Sequence, residues 1–370
     1  MSTSRARLVE AHEAAVAYFY DTLRSARGEG PRDYLARRSL AAVEGNPDWS
    51  VGYAPPGWTT LLGQLRDAGF NDTEIRGAGL AVATRRGTLI DRFRDRVVLG
   101  IRDVRGDVVG FVGRCPPGLE GRVPKYLNSP HTEIFTKGQL LFGLSEQRKR
   151  IAMGATPVVV EGPLDVLAIA SLDEAFAAVS ACGTALQPAQ ATTLRDVAPG
   201  DTVISAYDGD DAGRRAARNG YSRLSPLFDS VLSARLPDHE DPASLAAGAP
   251  DSLARSLQSA TPLLDDIVDD VLGGYPRLDN AEARVCALHE TTRLLAHLSP
   301  RDVSRQVGRL SQKLGIEASE VTRDLLHAVA NDQNQSTARR PVSAVHRSDV
   351  PDRRNPAVSL GWGLTERKHR

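Results

Sequence analysis

Val158-Val159-Val160-Glu161-Gly162-Pro163-Leu164-Asp165 passes from a β-branched run to a carboxylate and then into a helical pattern. The same order returns at Val203-Ile204-Ser205-Ala206-Tyr207-Asp208-Gly209-Asp210, and again where apolar Leu236 precedes Asp238-His239-Glu240-Asp241-Pro242. The residues that follow are predicted to be helical over 163–171, 212–218 and 243–247. Strands that alternate with helices in this way are typical of a parallel α/β sheet.

Four carboxylates follow the predicted strand ends and are expected to lie together. Glu161, Asp208, Asp210 and Asp241 are far apart in sequence, but the carboxyl ends of parallel strands face one crevice. Such a group of hard oxygens, without His or Cys, suits Mg²⁺ or Mn²⁺ shared with phosphate oxygens. Each carboxylate alone could instead cap the following helix. Asp208 and Asp210 are separated by a single glycine and repel each other unless a cation lies between them, which favours the metal site.

Composition excludes several classes of protein. The chain has 370 residues, enough for two or three domains, and its 46 basic residues balance its 46 acidic ones. No run approaches the ~18 apolar residues of a membrane span, and the first residues lack the apolar core of a signal peptide. We therefore expect a cytoplasmic protein without membrane contact. Cys115, Cys182 and Cys286 are isolated, which predicts neither a disulfide framework nor a zinc site.

Residues 1–154 combine helical patterns with short strands and many basic side chains. Helices are predicted over 5–27, 31–39 and 60–68. Strands are predicted over 97–101 and 108–112, and a hairpin-like turn joins these two strands. If Arg92, Arg94 and Arg96 lie on a strand, their side chains share one face and form a basic stripe; a solvated face is the alternative. The segment from Lys125 through Asn128 to Lys137 offers donors to phosphate and sugar, although a plain surface loop would be equally polar.

The rest of the chain is divided by a change of pattern. Residues 155–260 contain the predicted parallel sheet, and residues 261–330 are predicted to form a small helical domain. Its helices are expected over 263–272, 281–298, 302–314 and 318–330. Residues 331–370 are rich in Asn, Gln, Pro and Arg and have no periodicity, which predicts a disordered tail.

Several motifs resemble the catalytic core of bacterial DnaG-type DNA primases. They are Tyr34-Leu35-Ala36-Arg37-Arg38, Gly52-Tyr53-Ala54-Pro55-Pro56-Gly57-Trp58, Arg92-Phe93-Arg94-Asp95-Arg96-Val97, Gly110-Phe111-Val112-Gly113-Arg114, Pro124-Lys125-Tyr126-Leu127-Asn128-Ser129-Pro130 and Phe135-Thr136-Lys137-Gly138. Glu161-Gly162 together with Asp208-Gly209-Asp210 is similar to the signature of the Toprim module, which topoisomerases and some nucleases share. The resemblance extends over residues 10 to 330, and the segment around Lys125 is what distinguishes primases from other Toprim proteins.

The resemblance implies an α/β fold with a mixed α/β N-terminal subdomain, a Toprim parallel-sheet subdomain and a C-terminal helical subdomain around a shallow cleft. It also implies an RNA polymerase of primase type, which makes short RNA primers from ribonucleoside triphosphates on single-stranded DNA. The implied cofactor is Mg²⁺ or Mn²⁺, and no zinc is expected. Such cations neutralise the triphosphate and orient the 3′-hydroxyl for in-line attack.

The roles of individual residues follow from the same resemblance. The implied metal ligands are Glu161, Asp208, Asp210 and Asp241, supported by Asp165. The implied catalytic residues are Glu161, Asp208, Asp210, Lys125 and Lys137. Binding of template and nucleotide is implied for Arg38, Arg92, Arg94, Arg114, Lys125, Asn128 and Lys137.

Three features depart from the family pattern. Position 243 is Ala, where the family usually has a second Asp after Asp241-Pro242, and this weakens or removes one metal site. Pro163 replaces an aromatic residue, but proline suits the first turn of a helix. The family's zinc-binding and helicase-interaction domains do not occur in this sequence. We therefore expect that separate partners supply them or that the enzyme works without them.

Two other classes of function stay open. A Toprim nuclease would cleave phosphodiester bonds without incorporating ribonucleotides, but it has no use for the primase-like residues 92–137. A degenerate core would bind single strands without catalysis, which Ala243 favours. The four carboxylates argue against this second class, because they repel DNA and benefit only a metal site.

Overall fold

The computed structural model describes residues 3–119, 121–182, 185–275, 278–295 and 300–338. The first part of the chain combines helices with short antiparallel strands. These elements are α1 Arg5–Arg24, α2 Glu29–Arg37, β1 Val51–Ala54, α3 Thr60–Asp67, α4 Asp72–Gly77, β2 Ala81–Ala83, β3 Leu89–Asp91, β4 Arg96–Arg102, β5 Val108–Arg114, β6 Tyr126–Asn128 and α5 Leu144–Ala152. Short 3₁₀ turns join α1, α2 and β1.

A four-stranded antiparallel sheet organises this part, in the order β1-β4-β5-β6. Its β4–β5 hairpin confirms the two predicted strands and their connection. Both faces of the hairpin are covered. Val98 and Phe111 share a core with α1 and α3, while Leu99 and Val112 belong to a core shared with the second sheet. The alternation of side chains along each strand divides them between the two cores.

The predicted basic stripe of Arg92, Arg94 and Arg96 is wrong. β4 begins only at Arg96, and the other two arginines lie in the irregular segment before it. In that segment Asp95 adopts a left-handed conformation with φ 48°, which interrupts the two-residue alternation of a strand. Arg96 itself is buried and donates to the carbonyl oxygens of Gly113 at 3.2 Å and Pro124 at 2.9 Å.

The second part of the chain confirms the predicted parallel α/β sheet. Its elements are β7 Thr156–Val160, α6 Pro163–Leu172, β8 Phe176–Ser180, α7 Pro188–Val197, β9 Thr202–Ser205, α8 Asp211–Leu224, β10 Ser230–Ser233, α9 Pro242–Gly248, α10 Pro250–Gln258 and β11 Thr261–Pro262. The strand order is β11-β10-β9-β7-β8. All neighbouring pairs are parallel except β10 with β11.

One strand of this sheet lies elsewhere than predicted. Leu236 is in a loop, and β10 has already ended at Ser233. Pro237 has no N–H with which to continue a strand ladder, so the apolar residue before it was a misleading signal. Asp241 nevertheless caps α9, accepting from the Ser244 N–H at 2.6 Å.

Helices complete the described chain: α11 Leu263–Gly273, α12 Ala281–Leu295, α13 Pro300–Leu314 and α14 Ala318–Ala338. The last helix corrects one prediction, because residues 331–338 are helical although we expected disorder from 331 onward. The sequence from Ala318 to Arg340 contains neither Gly nor Pro, the residues that interrupt helices most strongly. The remainder of the predicted tail, 339–370, lies outside the described residues.

One continuous core joins the two sheets. It contains Leu99 and Val112 from the first sheet, Val158 and Val160 from the second, and Leu253 from α10. A second core lies between the parallel sheet and the C-terminal helices. Within the described residues, no helix combines the length and apolar content needed to cross a membrane.

A buried carboxyl group on α5 makes stability depend on pH. The Glu146 side chain is 2% exposed, and its Oε1 lies 3.7 Å from Nε of Arg102. Burial raises the pKa of Glu146 to about 7, against the opposing effects of backbone hydrogen bonds and the Arg102 charge. Because this pKa exceeds the unfolded value, the folded state binds the proton more tightly. The contribution of Glu146 to stability is therefore most favourable below about pH 4.5 and declines as pH rises to about 7.

We expect Glu146→Gln to remove this pH dependence. Urea unfolding should show similar stabilities for parent and variant near pH 4.5, and a variant more stable by about 3 kcal/mol at pH 8. Glu174→Gln changes an exposed carboxyl and is the matched control, which should follow the parent at every pH. Identical pH profiles for the parent and Glu146→Gln would contradict the assignment.

Candidate active site

The carboxyl ends of β7 and β9 form the edge at which acidic residues gather. Glu161 follows β7, and the residues from Asp208 to Asp210 follow β9. The two strands are neighbours, with Val159 paired to Ser205. The loop before Asp241 is joined to the loop after β9, because the Gly209 N–H donates to the Glu240 carbonyl oxygen at 3.1 Å. The structure therefore brings the four predicted carboxylates to one edge.

Two glycines allow these loops to approach. A Cβ on Gly209 would lie 2.2 Å from the carbonyl oxygen of Pro237, and a Cβ on Gly213 would lie 2.1 Å from that of Asp208. Neither position has room for a side chain. Asp210 lies between the two glycines and caps α8, accepting from the Gly213 N–H at 2.7 Å. The helix-cap alternative is thus realised for Asp210, as it is for Asp241.

Glu161 and Asp208 differ from these caps because each has an oxygen without a protein partner. Among the described residues, Oε1 of Glu161 and Oδ1 of Asp208 are buried and accept no hydrogen bond. Burial raises the pKa of Glu161; Asp210 and Asp241 add to the shift, while the Asp208 N–H and Lys125 oppose it. Burial, reinforced by Glu161 and Asp241, raises the pKa of Asp208 to about 7. A divalent cation would relieve two such oxygens.

Asp165 connects the loops that carry the carboxylates. It is buried at the start of α6, where Oδ2 accepts from the Gly162 N–H at 2.9 Å and Oδ1 accepts from the Ala243 N–H at 3.1 Å. Burial and the charges of Asp241 and Asp208 raise its pKa to about 8. Both oxygens accept backbone hydrogen bonds, so this geometry suits a positioning role. Ala243 is itself buried and presents only a methyl group where the family pattern has a carboxylate.

The available oxygens fit Mg²⁺ or Mn²⁺ completed by phosphate. Throughout the described part of the chain, no three His, Cys, Asp or Glu side chains are gathered into a ready-made metal cluster. Mg²⁺ usually keeps several waters and is held by one or two carboxylates together with substrate phosphates. Glu161 and Asp208 each offer an unpartnered oxygen of this kind.

The start of β6 brings Lys125 to the carboxylates. Its charge lowers the pKa of both Glu161 and Asp208. The next residue, Tyr126, lies against the same loop, because a Cβ on Gly162 would be 3.3 Å from the Tyr126 hydroxyl. Ser180 at the end of β8 donates its hydroxyl to the Glu161 carbonyl oxygen at 2.7 Å. We predicted no role for Tyr126 or Ser180 from the sequence. Tyr126 could have been found from its position next to Lys125, whereas Ser180 had no such signal.

Other residues predicted to bind nucleotide lie around the carboxylates. Arg92 donates to the Asn128 carbonyl oxygen at 2.9 Å, and the Asn128 side chain donates to the Cys182 carbonyl oxygen at 3.1 Å. Lys137 is exposed and lowers the pKa of Cys182, which burial raises to about 12. These contacts connect β6 and its neighbours to the end of β8.

Arg114, for which the resemblance implied a role in binding template and nucleotide, is buried. Its side chain is 4% exposed, and its Nε donates to the Tyr34 hydroxyl at 3.2 Å. Its guanidinium lies 5.4 Å from the ring centroid of Tyr126. The Arg38 guanidinium lies 5.6 Å from the centroid of the Tyr34 ring. Direct contact of either arginine with nucleic acid stays a prediction.

Comparison with known proteins relates both halves of the chain to one family. A profile described as DNA primase catalytic core, N-terminal domain, matches residues 18–148, and a Toprim-like profile matches residues 158–246. The DNA primase of Streptomyces coelicolor is 36% identical over 320 residues, which cover 84% of this chain and 49% of that protein. The chain spans about half the length of the curated relatives it matches.

Solved structures agree with this relationship. The RNA polymerase domain of Mycobacterium tuberculosis primase DnaG, in complex with double-stranded DNA, matches with a TM-score of 0.72 and 32% identity. The match covers 85% of this chain and 99% of that chain. A DnaG primase catalytic domain bound to single-stranded DNA matches with a TM-score of 0.70 and 29% identity, over 85% and 98% of the two chains. The predicted resemblance to DnaG-type catalytic cores is confirmed.

Proposed function

This chain belongs to the family of DnaG-type DNA primases, and we propose that it is a DNA-directed RNA polymerase that makes short RNA primers on single-stranded DNA. The observation that carries the proposal is the pair of buried, unpartnered oxygens on Glu161 and Asp208 beside Lys125. Within a primase core, this arrangement suits the binding of a metal-complexed triphosphate. Its relative that is bound to single-stranded DNA supports the choice of template.

In the proposed reaction, the 3′-oxygen of the growing strand attacks the α-phosphorus of a ribonucleoside triphosphate, and pyrophosphate leaves. When bound, Mg²⁺ or Mn²⁺ would neutralise part of the negative charge of the triphosphate. Glu161 and Asp208 would hold the metal with their unpartnered oxygens, and Asp210 and Asp241 add negative potential. Lys125 attracts a phosphate group to the same edge, and Asp165 keeps the two acidic loops together.

We propose further contacts with template and nucleotide around this edge. Arg92, Arg94, Asn128 and Lys137 provide donors for the template and the triphosphate. Because template DNA and ribonucleotides are found together in the bacterial cytoplasm, we propose that the protein acts there.

The test is to incubate the purified chain with single-stranded DNA and labelled ribonucleoside triphosphates, with either Mg²⁺ or Mn²⁺. We expect short, metal-dependent oligoribonucleotides on a sequencing gel. A second reaction supplies a preformed primer end, so that elongation is measured apart from initiation. Cleavage of the DNA without ribonucleotide incorporation would support a Toprim nuclease instead. Binding of DNA with neither product would indicate a core without catalysis, as the buried Ala243 in place of a carboxylate would suggest.

A further inference from the structure

A cavity of about 360 Å³ lies where the first part of the chain meets the parallel-sheet part. The 3₁₀ turns before β1 form one wall, which includes Val43, Asp48 and Trp49, and α5 with the end of α6 forms the other. Arg150 on this second wall donates to the carbonyl oxygen of Phe176, the first residue of β8, at 2.9 Å. The cavity therefore borders the amino end of the parallel sheet, whereas the catalytic carboxylates lie at its carboxyl end.

Three polar side chains of α5 on this wall have hydrogen-bonding atoms without partners. Glu146, Gln147 and Arg150 all line the cavity. Among the described residues, Oε1 of Glu146, Oε1 of Gln147 and Nε of Arg150 are buried and form no hydrogen bond. The Glu146 side chain and the Gln147 residue are each 2% exposed. Because a buried polar group without a partner destabilises the folded protein, three of them on one wall indicate a site that a ligand completes.

The remaining atoms of two of these side chains are already held by the protein. Nε2 of Gln147 donates to the Ala178 carbonyl oxygen at 2.5 Å, which leaves Oε1 as the available acceptor. The terminal nitrogens of Arg150 donate to the carbonyl oxygens of Ala170 at 3.1 Å and Asp173 at 2.7 Å, which leaves Nε as the available donor. The site is therefore preorganised, with two acceptors and one donor in fixed places.

Charges of both signs line the cavity without neutralising each other. Arg150 bonds only carbonyl oxygens, and within the described residues it forms no ion pair. Oε1 of Glu146 lies 3.7 Å from Nε of Arg102, which is too far for a hydrogen bond. Asp48 on the opposite wall is exposed, and its charge contributes to the raised pKa of Glu146. A ligand that completes the site carries donors for two oxygens and an acceptor for one nitrogen.

These requirements select one class of small molecule. A simple cation has no acceptor for Arg150, and a simple anion has no donor for Glu146 and Gln147. A nucleotide would place further negative charge beside Glu146 and Asp48. An α-amino acid carries an ammonium group with three donors next to a carboxylate that accepts. Glu146 and Arg150 are four residues apart on one helix, so their Cβ atoms lie about 5–6 Å apart and one small zwitterion reaches both.

We propose that this cavity is a binding site for a free α-amino acid. Glu146 and Gln147 accept hydrogen bonds from its ammonium group, and Arg150 donates to its carboxylate. The buried side chains of Val43 and Trp49 provide an apolar wall for its side chain. A ligand bound here touches both parts of the chain and stabilises their contact. This site goes beyond the proposed polymerase activity, and its test needs neither template nor ribonucleotides.

Thermal unfolding of the full chain detects the ligand. Each common L-amino acid is added singly at millimolar concentration near pH 8, and we expect at least one to raise the Tm by several degrees. Calorimetric titration then gives its Kd. The corresponding amine without the carboxylate, and the corresponding acid without the ammonium group, should each bind about 10- to 150-fold more weakly. No Tm change with any amino acid would overturn the proposal, and so would equal affinity for the amine, which indicates a cation site.

Two variants assign the contacts to named atoms. Glu146→Gln should raise the Kd of the amino acid about 10- to 150-fold, because it removes a charged acceptor. Arg150→Lys keeps a positive charge but lacks Nε, so it should weaken binding of the amino acid and leave binding of the amine unchanged. An equal loss for both ligands would show that Arg150 acts only through the fold. Glu174→Gln, an exposed position that does not line the cavity, is the matched control and should keep the parental Kd.

The site and the polymerase activity can fail separately. RNA synthesis by a protein that binds no amino acid supports the proposed function and contradicts the site. Amino acid binding that Glu146→Gln weakens, in a protein that makes no RNA, supports the site and contradicts the proposed function. An unchanged Kd in Glu146→Gln would contradict the assignment of the ammonium contact. Circular dichroism of each variant confirms that it is folded before its affinity is compared.

Discussion

Glu161→Gln is expected to abolish RNA synthesis while the protein stays folded. The substitution removes a carboxylate whose Oε1 is buried without a hydrogen-bond partner, the oxygen that we propose binds the metal. Metal neutralisation of a transferring phosphoryl group contributes several kcal/mol, so a loss of roughly 10²- to 10⁴-fold in rate is expected. Asp208→Asn should have the same effect for the same reason. The measurement is the initial rate of extension of a preformed primer, at saturating template and several metal concentrations.

Asp211→Asn is the matched control for these two variants. Asp211 follows the Asp208-Gly209-Asp210 loop directly, but its side chain is exposed and pairs with Arg214. It should therefore retain the parental rate. Thermal unfolding near pH 8 should give Asp211→Asn the parental Tm and give Glu161→Gln and Asp208→Asn a Tm at or above it, because these two substitutions remove carboxylates whose pKa burial raises. Parental rates for Glu161→Gln or Asp208→Asn would show that the metal site has been assigned to the wrong residues.

Asp165→Ala is expected to lose both stability and metal affinity. The substitution leaves two buried N–H groups, those of Gly162 and Ala243, without their acceptor. Each unsatisfied buried donor costs about 1–3 kcal/mol, so the free energy of unfolding should fall by about 2–6 kcal/mol. The loops after β7 and before α9 are then no longer tied, and the metal concentration for half-maximal activity should rise. Urea unfolding and a metal titration measure the two effects.

Asp165→Asn separates a positioning role from a merely structural one. Its amide retains one acceptor oxygen, so it restores one of the two backbone bonds and should give an intermediate stability. Its metal requirement should also lie between those of the parent and Asp165→Ala. If the metal requirement of Asp165→Ala equals that of the parent once both are folded, Asp165 contributes to the fold alone.

The chemistry of the carboxylate edge was predictable from local sequence. β-branched runs that end at Glu161 and before Asp208 predict parallel strands, and parallel strands bring their carboxyl ends to one side. The short spacing of Asp208 and Asp210 predicts a site that needs a cation. The primase motifs around Lys125 predict the family, which the comparisons confirm. These inferences succeed because they depend on periodicity and on the order of residues along the chain.

Only the tertiary structure decided what each side chain does with its oxygens and nitrogens. Asp210 and Asp241 cap helices, Asp165 ties two loops, and Glu161 and Asp208 keep oxygens free of protein partners. Arg114 has the same charge as Arg94, yet it is buried beside Tyr34 while Arg94 lies over the exposed ring of Trp58. The physical reason is that burial and hydrogen-bond partners come from segments distant in sequence. Local patterns determine which elements form, whereas packing between those elements determines which polar groups are satisfied and which remain available.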